Sequence, residues 1–379
     1  MIIQNASVFS AMGQFENSDI FINDSTGRIE EKSAQDQVTE AVIDASGLYA
    51  IPGLVDLHFH GCVGYDFCDA TEEAIQAIAD YQASVGVLAI CPATMTFSEE
   101  IIGNIVDAAA AHKNGTGADL VGINMEGPFL SPKKAGAQNP EYFHSPDAAM
   151  FSRLQKRANG LIKMCDIAPE EVGAMECIDA IKQEVKAISL AHTVADYEIA
   201  TEAFARGANH VTHLYNAMPG INHRLPGPII AASEAGATVE LITDNIHIHP
   251  AVVRFTFRIF GDDKVVLVAD SMMACGLPNG QYELGGQAVT VDGRRCTLTH
   301  KPEVIAGSAT NLFDCMRYAV KEMGVPLESA VKAASTNPAR VIGISEDYGS
   351  LSQNAYGNVL LLNKDLELVH IVQKGKLLR

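Results

Sequence analysis

Basic residues are scarce in this chain: its 379 residues hold 27 Lys and Arg against 46 Asp and Glu, a formal net charge of −19. That balance argues against nucleic acid and anionic membranes as partners, because both favour positive surfaces. An anionic small-molecule substrate would then need a local cationic pocket. Also lacking is any apolar run long enough to span a bilayer. The start, Met1-Ile2-Ile3-Gln4-Asn5, has neither the basic opening nor the long apolar core of a secretory leader, so a cytoplasmic location is expected. No Cys-x-x-Cys pair occurs. The eight cysteines (Cys62, Cys68, Cys91, Cys165, Cys177, Cys275, Cys296 and Cys315) are scattered through apolar patterns and read as reduced core thiols. Cys62 and Cys275 remain alternative thiolate ligands because they lie near the expected site. Internal repeats and low-complexity tracts are absent as well.

What is present is an alternation of short β-branched runs with amphipathic stretches, the pattern of repeated βα units. Eight strand candidates occur in order: Gly53 to His60, Val87 to Thr94, Leu120 to Glu126, Leu161 to Asp166, Ala187 to His192, His210 to Leu214, Val239 to Asp244, and Val265 to Asp270. Eight parallel strands close a barrel, so a TIM-type (β/α)8 barrel is expected, an α/β fold. Helical segments such as Thr71 to Ser84, Asp196 to Arg206 and Ala251 to Phe260 lie between them. The two ends differ from this middle. Short β-like pieces broken by turn signals run through residues 1–48, and the style returns in Gly357 to Leu362 and Leu368 to Val372. The expected organisation is a barrel over residues 51–345 with a small discontinuous β-sandwich built from residues 1–50 and 346–379.

Polar residues at the strand ends carry the chemistry. In Asp56-Leu57-His58-Phe59-His60, alternation puts positions 56, 58 and 60 on one face, so both imidazoles converge as a metal clamp would require. Later runs end in Glu126, His192, His213 and Asp270. Barrel chemistry is assembled at the C-terminal strand ends. One such residue could be a helix cap, as Asp196 is expected to be; six at five strand ends point to a metal site. His210 has the opposite parity to His213 and is expected to face the helices, and His249, before Pro250, reads as structural. His112, His144, His300 and His370 read as surface or loop residues.

The segments PGLVDLHFHG, NMEGPFLSPKKAGAQNPEYF, AHTVADY, VTHLYNAMPG, DNIHIHP, VADSMMACG, AGSATNLFD and STNPARVIG together resemble the N-acetylglucosamine-6-phosphate deacetylase family of the amidohydrolase superfamily, over nearly the whole chain. His-x-His by itself marks the superfamily; EGPF followed by THLYNAMP marks the deacetylases. The resemblance implies metal-dependent hydrolysis of the acetamide of N-acetyl-D-glucosamine 6-phosphate to glucosamine 6-phosphate and acetate. It also implies Glu126, His192 and His213 as principal ligands of Zn²⁺ or Fe²⁺. With both His58 and His60 retained, a second metal bridged by Glu126 and touched by Asp270 is expected. Asp270 is then the general base and acid, with His247 as a substrate-contacting catalytic histidine. Phosphate recognition falls to Asn216, Ala217 and Arg224, in a region that lies at a dimer contact in the family, so a homodimer is expected. Ala137, Gln138, Ile305, Ala306 and Gly307 match further substrate-contacting positions. Gln138 departs from the His of some members, which leaves sugar selectivity open. Gly127 gives the chain room to turn beside the metals. Lys163 raises the question of a carbamylated bridging lysine, a role that Glu126 already fills.

Two other readings stay open at this point. One is an amidohydrolase acting on N-acetylgalactosamine 6-phosphate or on a cyclic amide. The other is a metal-free barrel scaffold, whose mark would be missing ligands.

Overall fold

The computed structural model describes residues 1–31 and 41–379. Eight parallel strands form its centre: β1 (Leu54–Asp56), β2 (Val87–Ile90), β3 in two pieces (Asp119–Leu120 and Ile123–Met125), β4 (Ile162–Ile167), β5 (Ala187–Leu190), β6 (His210–Val211), β7 (Thr238–Ile242) and β8 (Val265–Val268). Each pairs in parallel with the next, and a bridge between Ala93 and Asn124 joins the second to the third. The ring closes through Asp270 N–H to His58 O at 2.8 Å and His60 N–H to Ser271 O at 2.7 Å. All eight expected strands are present, in the expected order.

Seven helices return the chain from one strand to the next: α1 (Glu72–Ser84), α2 (Glu99–Ala111), α3 (Ala148–Arg157), α4 (Ala174–Ile181), α5 (Tyr197–Arg206), α6 (Gly227–Ala235) and α7 (Pro250–Phe260). Their starts follow local chemistry. The Thr71, Ser98 and Asp196 side chains each accept a first-turn N–H, and His249 accepts the N–H of Ala251, ahead of Pro250 at the first helical position. After β8 come α8 (Leu312–Lys321), α9 (Leu327–Ala334) and α10 (Thr336–Val341).

Alternation along the strands separates two cores. Ile188, Leu190, Val211, Val239, Leu241 and Leu267 face the helices in the large outer cluster. Val55, Leu57, Met164, Ala187, Ile242, Val266 and Val268 fill the lumen. His210 belongs to the lumen, contrary to its expected orientation: its Nε2 meets Glu240, whose other oxygen reaches His58. The parity argument failed because β6 ends at Val211 and His213 sits in a turn with φ 29°, so the two-residue period does not connect them. His112 also departs from its expected place. It is buried at the end of α2, with Nδ1 3.0 Å from Glu72.

An antiparallel sheet that the strand signals did not lead us to expect follows β8, with strands Gly280–Leu284, Gln287–Asp292, Arg295–Leu298 and Lys301–Ile305. Leu284, Val289, Val291 and Leu298 pack against Met95 and Met272, so this sheet roofs one side of the barrel mouth. The chain ends form the β-sandwich. Strand Val359–Leu362 pairs with Tyr49–Pro52, which pairs with Ile2–Phe9, around a core of Ile3, Val8, Ile20, Ile22, Leu361 and Val372. Leu360, from the same C-terminal strand, points the other way into the barrel's outer core and packs against Gly86. All eight cysteines are free, and seven of them are buried. No helix among the described residues is long and apolar enough to cross a membrane.

Because Leu360 is fully buried at the seam of the two cores, Leu360→Ala should lower the unfolding free energy by about 2–5 kcal/mol, whereas the exposed Lys364→Ala should change it by less than about 0.5 kcal/mol. Urea titration of both variants measures the difference.

Candidate active site

Strand ends at the barrel mouth deliver the site. His58 and His60 follow β1, Glu126 follows β3, and His192, His213, Asp244 and Asp270 each lie two residues beyond the last residue of β5, β6, β7 and β8. Three of these, His192, His213 and Asp270, adopt left-handed backbone conformations with φ of 42°, 29° and 46°. Such conformations cost a non-glycine residue of order 1–3 kcal/mol each and persist where surrounding structure imposes them. They turn each side chain inward immediately after its strand. Gly127 makes the matching turn after Glu126 at φ +85°, where a Cβ would lie 2.2 Å from Thr96 Oγ1.

Two overlapping groups result: His58, His60 and Glu126, and Glu126, His192 and His213, all buried and each with its ligating atoms within 4.8 Å of one another. Glu126 Oε1 lies 3.0 Å from His192 Nε2 and 3.3 Å from His213 Nε2. Its Oε2 lies 3.4 Å from both His58 Nε2 and His60 Nε2. Asp270 Oδ1 completes the group of His58 and His60, 3.3 Å from His60 Nε2 and 3.7 Å from His58 Nε2.

The donor chemistry of this cluster fits a cation. His192 Nδ1 lies 2.7 Å from the carbonyl of Lys134, which can only accept, so Nδ1 carries the proton. The neutral ring then presents a lone pair at Nε2, aimed at Glu126 Oε1 and at His213 Nε2 3.1 Å away. His58 repeats the arrangement, with Nδ1 3.0 Å from Glu240 and Nε2 buried without a hydrogen-bond partner, as is Glu126 Oε2. Lone pairs packed face to face repel unless protons or a metal stand between them. Protons are the alternative. Burial alone would push the His58 imidazolium down, yet Glu126 and Glu240 outweigh it and hold it well above its usual range. Burial would likewise raise Glu126, but the surrounding imidazoles hold it well below the carboxylate range. Asp270 is lowered in the same way, His60 and His58 overcoming its burial. Burial raises Asp56 to about 8; its Oδ1 accepts the His58 N–H at 3.3 Å.

The cluster forms the floor of a cavity of about 420 Å³ lined by Ala137, Gln138, Asn216, Ala217, His247, Ile305 and Gly307, while Ala306 lies buried behind the lining. His247 Nδ1 is 2.8 Å from Asp244 Oδ2, and Asp244 Oδ1 accepts the N–H groups of Ile246 and His247. Burial works against a charged His247, but Asp244 outweighs it and raises the imidazole above its usual range. Gln138 Oε1 accepts the Thr96 N–H at 2.8 Å. Arg224 is exposed on the loop after Pro219, beside His223, and does not line the cavity of its own chain.

Neither thiol joins the cluster. Cys62 Sγ faces Ile78 O, and Cys275, pushed by burial up to about 12, faces the Tyr81 hydroxyl. Lys163 donates to Gly160 O at the start of β4, the end of the strand away from the cavity. Several residues here escaped sequence reasoning. Asp244 ends the apolar run of β7, a signal of the same kind as Asp270, whereas Glu240 is a lone acid within that run whose partners the sequence does not show. Lys133, Lys134 and Glu303 also line the cavity, but charges outside the barrel strands carry no such signal.

The amidohydrolase family model matches residues 49–378. The N-acetylglucosamine-6-phosphate deacetylase of Bacillus subtilis (strain 168) is 33% identical over 389 residues, covering 100% of this chain and 96% of that protein. The N-acetylgalactosamine-6-phosphate deacetylase of Escherichia coli O157:H7 is 30% identical, covering 91% of this chain and 92% of its own. Among solved structures, a mutant N-acetyl-D-glucosamine-6-phosphate deacetylase from Mycobacterium smegmatis, in complex with N-acetyl-D-glucosamine-6-phosphate, superimposes with a TM-score of 0.91 at 28% identity, covering 100% of this chain and 98% of that one. With its whole length aligned to such relatives and its barrel mouth carrying the two histidine–glutamate groups, the chain belongs to the N-acetylglucosamine-6-phosphate deacetylase family of the amidohydrolases.

Proposed function

We propose that this protein hydrolyses the acetamide of N-acetyl-D-glucosamine 6-phosphate to glucosamine 6-phosphate and acetate in the cytoplasm. In this reading residues 51–345 form the hydrolase unit, and residues 1–50 and 346–379 its small sandwich. The observation that carries it is the pair of metal-competent groups sharing Glu126 at the floor of the cavity. Glu126, His192 and His213 would hold one Zn²⁺ or Fe²⁺, and His58, His60 and Asp270, with Glu126 between, a second. A bound ion supplies Lewis acidity for the acyl oxygen and lowers the pKa of water from about 15.7 toward 7.

The chain's own groups do the rest. Asp270, ionised and facing the cavity, takes the proton of the attacking water and returns it to the leaving nitrogen, which an amide requires because its amine leaves poorly unprotonated. His247, oriented by Asp244, keeps its Nε2 toward the cavity, where it can donate to the acyl or sugar oxygen. Asn216 and Ala217 face the phosphate end. Arg224 completes that end across a homodimer contact: it sits between Ile221 and Leu225, apolar side chains 44% and 74% exposed, on a loop suited to docking against a second copy. The partner would then add a cationic contact to those that Lys133 and Lys134 of the chain's own cavity lining supply.

A substrate panel with metal analysis tests the reading. Acetate release from the gluco epimer should exceed that from the galacto epimer, with one or two ions per chain; turnover of cyclic amides alone would refute it. Chelation should abolish acetate release and lower Tm, because the ion binds only the folded site. Asp270→Asn should keep its metal while acetate release falls about 10²–10⁴-fold, and wild-type turnover would end the proton-shuttle assignment. Arg224→Ala should raise KM for the phosphorylated sugar about tenfold or more, the worth of a charged hydrogen bond, with kcat little changed.

A further inference from the structure

Glu240 lies in the middle of β7 with its side chain in the lumen, fully buried. Three polar groups, from the end of β1 and from β6 and the turn that follows it, converge on it. Oε2 lies 3.0 Å from His58 Nδ1 and also accepts the backbone N–H of His213 at 3.0 Å. Oε1 lies 3.1 Å from His210 Nε2. His210 in turn contacts Thr238 through Nδ1. No Lys or Arg pairs with Glu240 among the described residues, so imidazoles and one amide satisfy its charge. Burial would raise its carboxyl, but His58 and His210 hold it below the usual carboxylate range.

A buried, unpaired carboxylate is costly, and a folded barrel could fill this position with a valine or leucine as its neighbours do. Its retention needs a reason in the geometry. A carboxylate accepts only, so the contact fixes the proton of His58 on Nδ1 and leaves Nε2 as a lone pair directed at Glu126 and Asp270. The same oxygen grips the N–H of His213, whose φ of 29° is strained. One oxygen atom thus ties a member of the first histidine–glutamate group to a member of the second. We infer that Glu240 is a positioning residue for the metal site: it sets the His58 tautomer, strengthens the His58 ring as a donor, and holds the His213 backbone. It touches neither substrate nor reacting atoms. A carboxylate behind a metal-binding histidine is typically worth about 10–100-fold in metal affinity.

This inference rests on the metal-site reading, and the two can fail separately. The experiment measures Zn²⁺ content and affinity by chelator competition, on wild type, Glu240→Gln and Glu240→Asp, with Tm of the metal-stripped proteins alongside. Gln keeps the shape but offers one accepting oxygen in place of two. Asp keeps the charge but falls a methylene short of His58. Both variants should bind Zn²⁺ about 10–100-fold more weakly, and the His58 ring resonances in the metal-stripped variants should report a mixture of tautomers. Wild-type Zn²⁺ affinity in either folded variant, even with a lowered Tm, overturns the positioning role and leaves the metal site standing. Wild-type protein that binds no Zn²⁺ overturns the metal site itself, and this inference with it.

Discussion

The structure turns on a single buried carboxylate. Glu126 faces four imidazole nitrogens, two on each oxygen, at 3.0 to 3.4 Å. In their neutral forms, with the single proton committed elsewhere, the rings of His58 and His192 present only lone pairs to it. In a dry interior such an arrangement is strongly unfavourable by itself and strongly favourable around a cation. The barrel assembles it from strands that lie far apart in sequence, and no local segment could.

Behind that cluster stands a second layer that aims it. The Lys134 carbonyl orients His192, Glu240 orients His58 and the His213 backbone, and Asp244 orients His247. Left-handed backbone at His192, His213 and Asp270 turns the side chains inward at the point where each strand ends. Strain of that sort survives because the closed ring of strands leaves the chain no relaxed alternative. The Lys134 contact also links a metal-competent histidine to the loop that carries Ala137 and Gln138 into the cavity. The orientation of His192 and the placing of that loop in the cavity wall are therefore not independent.

The cavity wall draws on different material. The added sheet after β8 supplies Ile305, the chain leaving it supplies Gly307, and the loop after β6 supplies Asn216 and Ala217. Its cations are Lys133 and Lys134, whereas Arg224 projects from its own chain into solvent. A single chain thus carries both metal-competent groups at the cavity floor, while Arg224 stands outside the lining of its own cavity.

The amino-acid sequence by itself determined the barrel, because eight apolar runs with helical returns admit few other arrangements, and it determined the acids and histidines at their ends, because polar groups that terminate buried strands need a reason. The sandwich from the two ends was legible for the same periodic reason. Tertiary structure alone decided which groups meet. His210 was misread because parity does not carry past the end of a two-residue strand, and His112 because pairing with Glu72 is a contact between helices. Glu240 was passed over because a lone acid in a strand declares its role only when His58, 182 residues away, arrives beside it. The sheet after β8 went unrecognised although its alternating Val289 and Val291 were in view, since short polar-faced strands resemble loops until packed. Periodicity is a local property that a sequence displays openly; convergence at a point depends on ring closure, which exists only in the folded molecule.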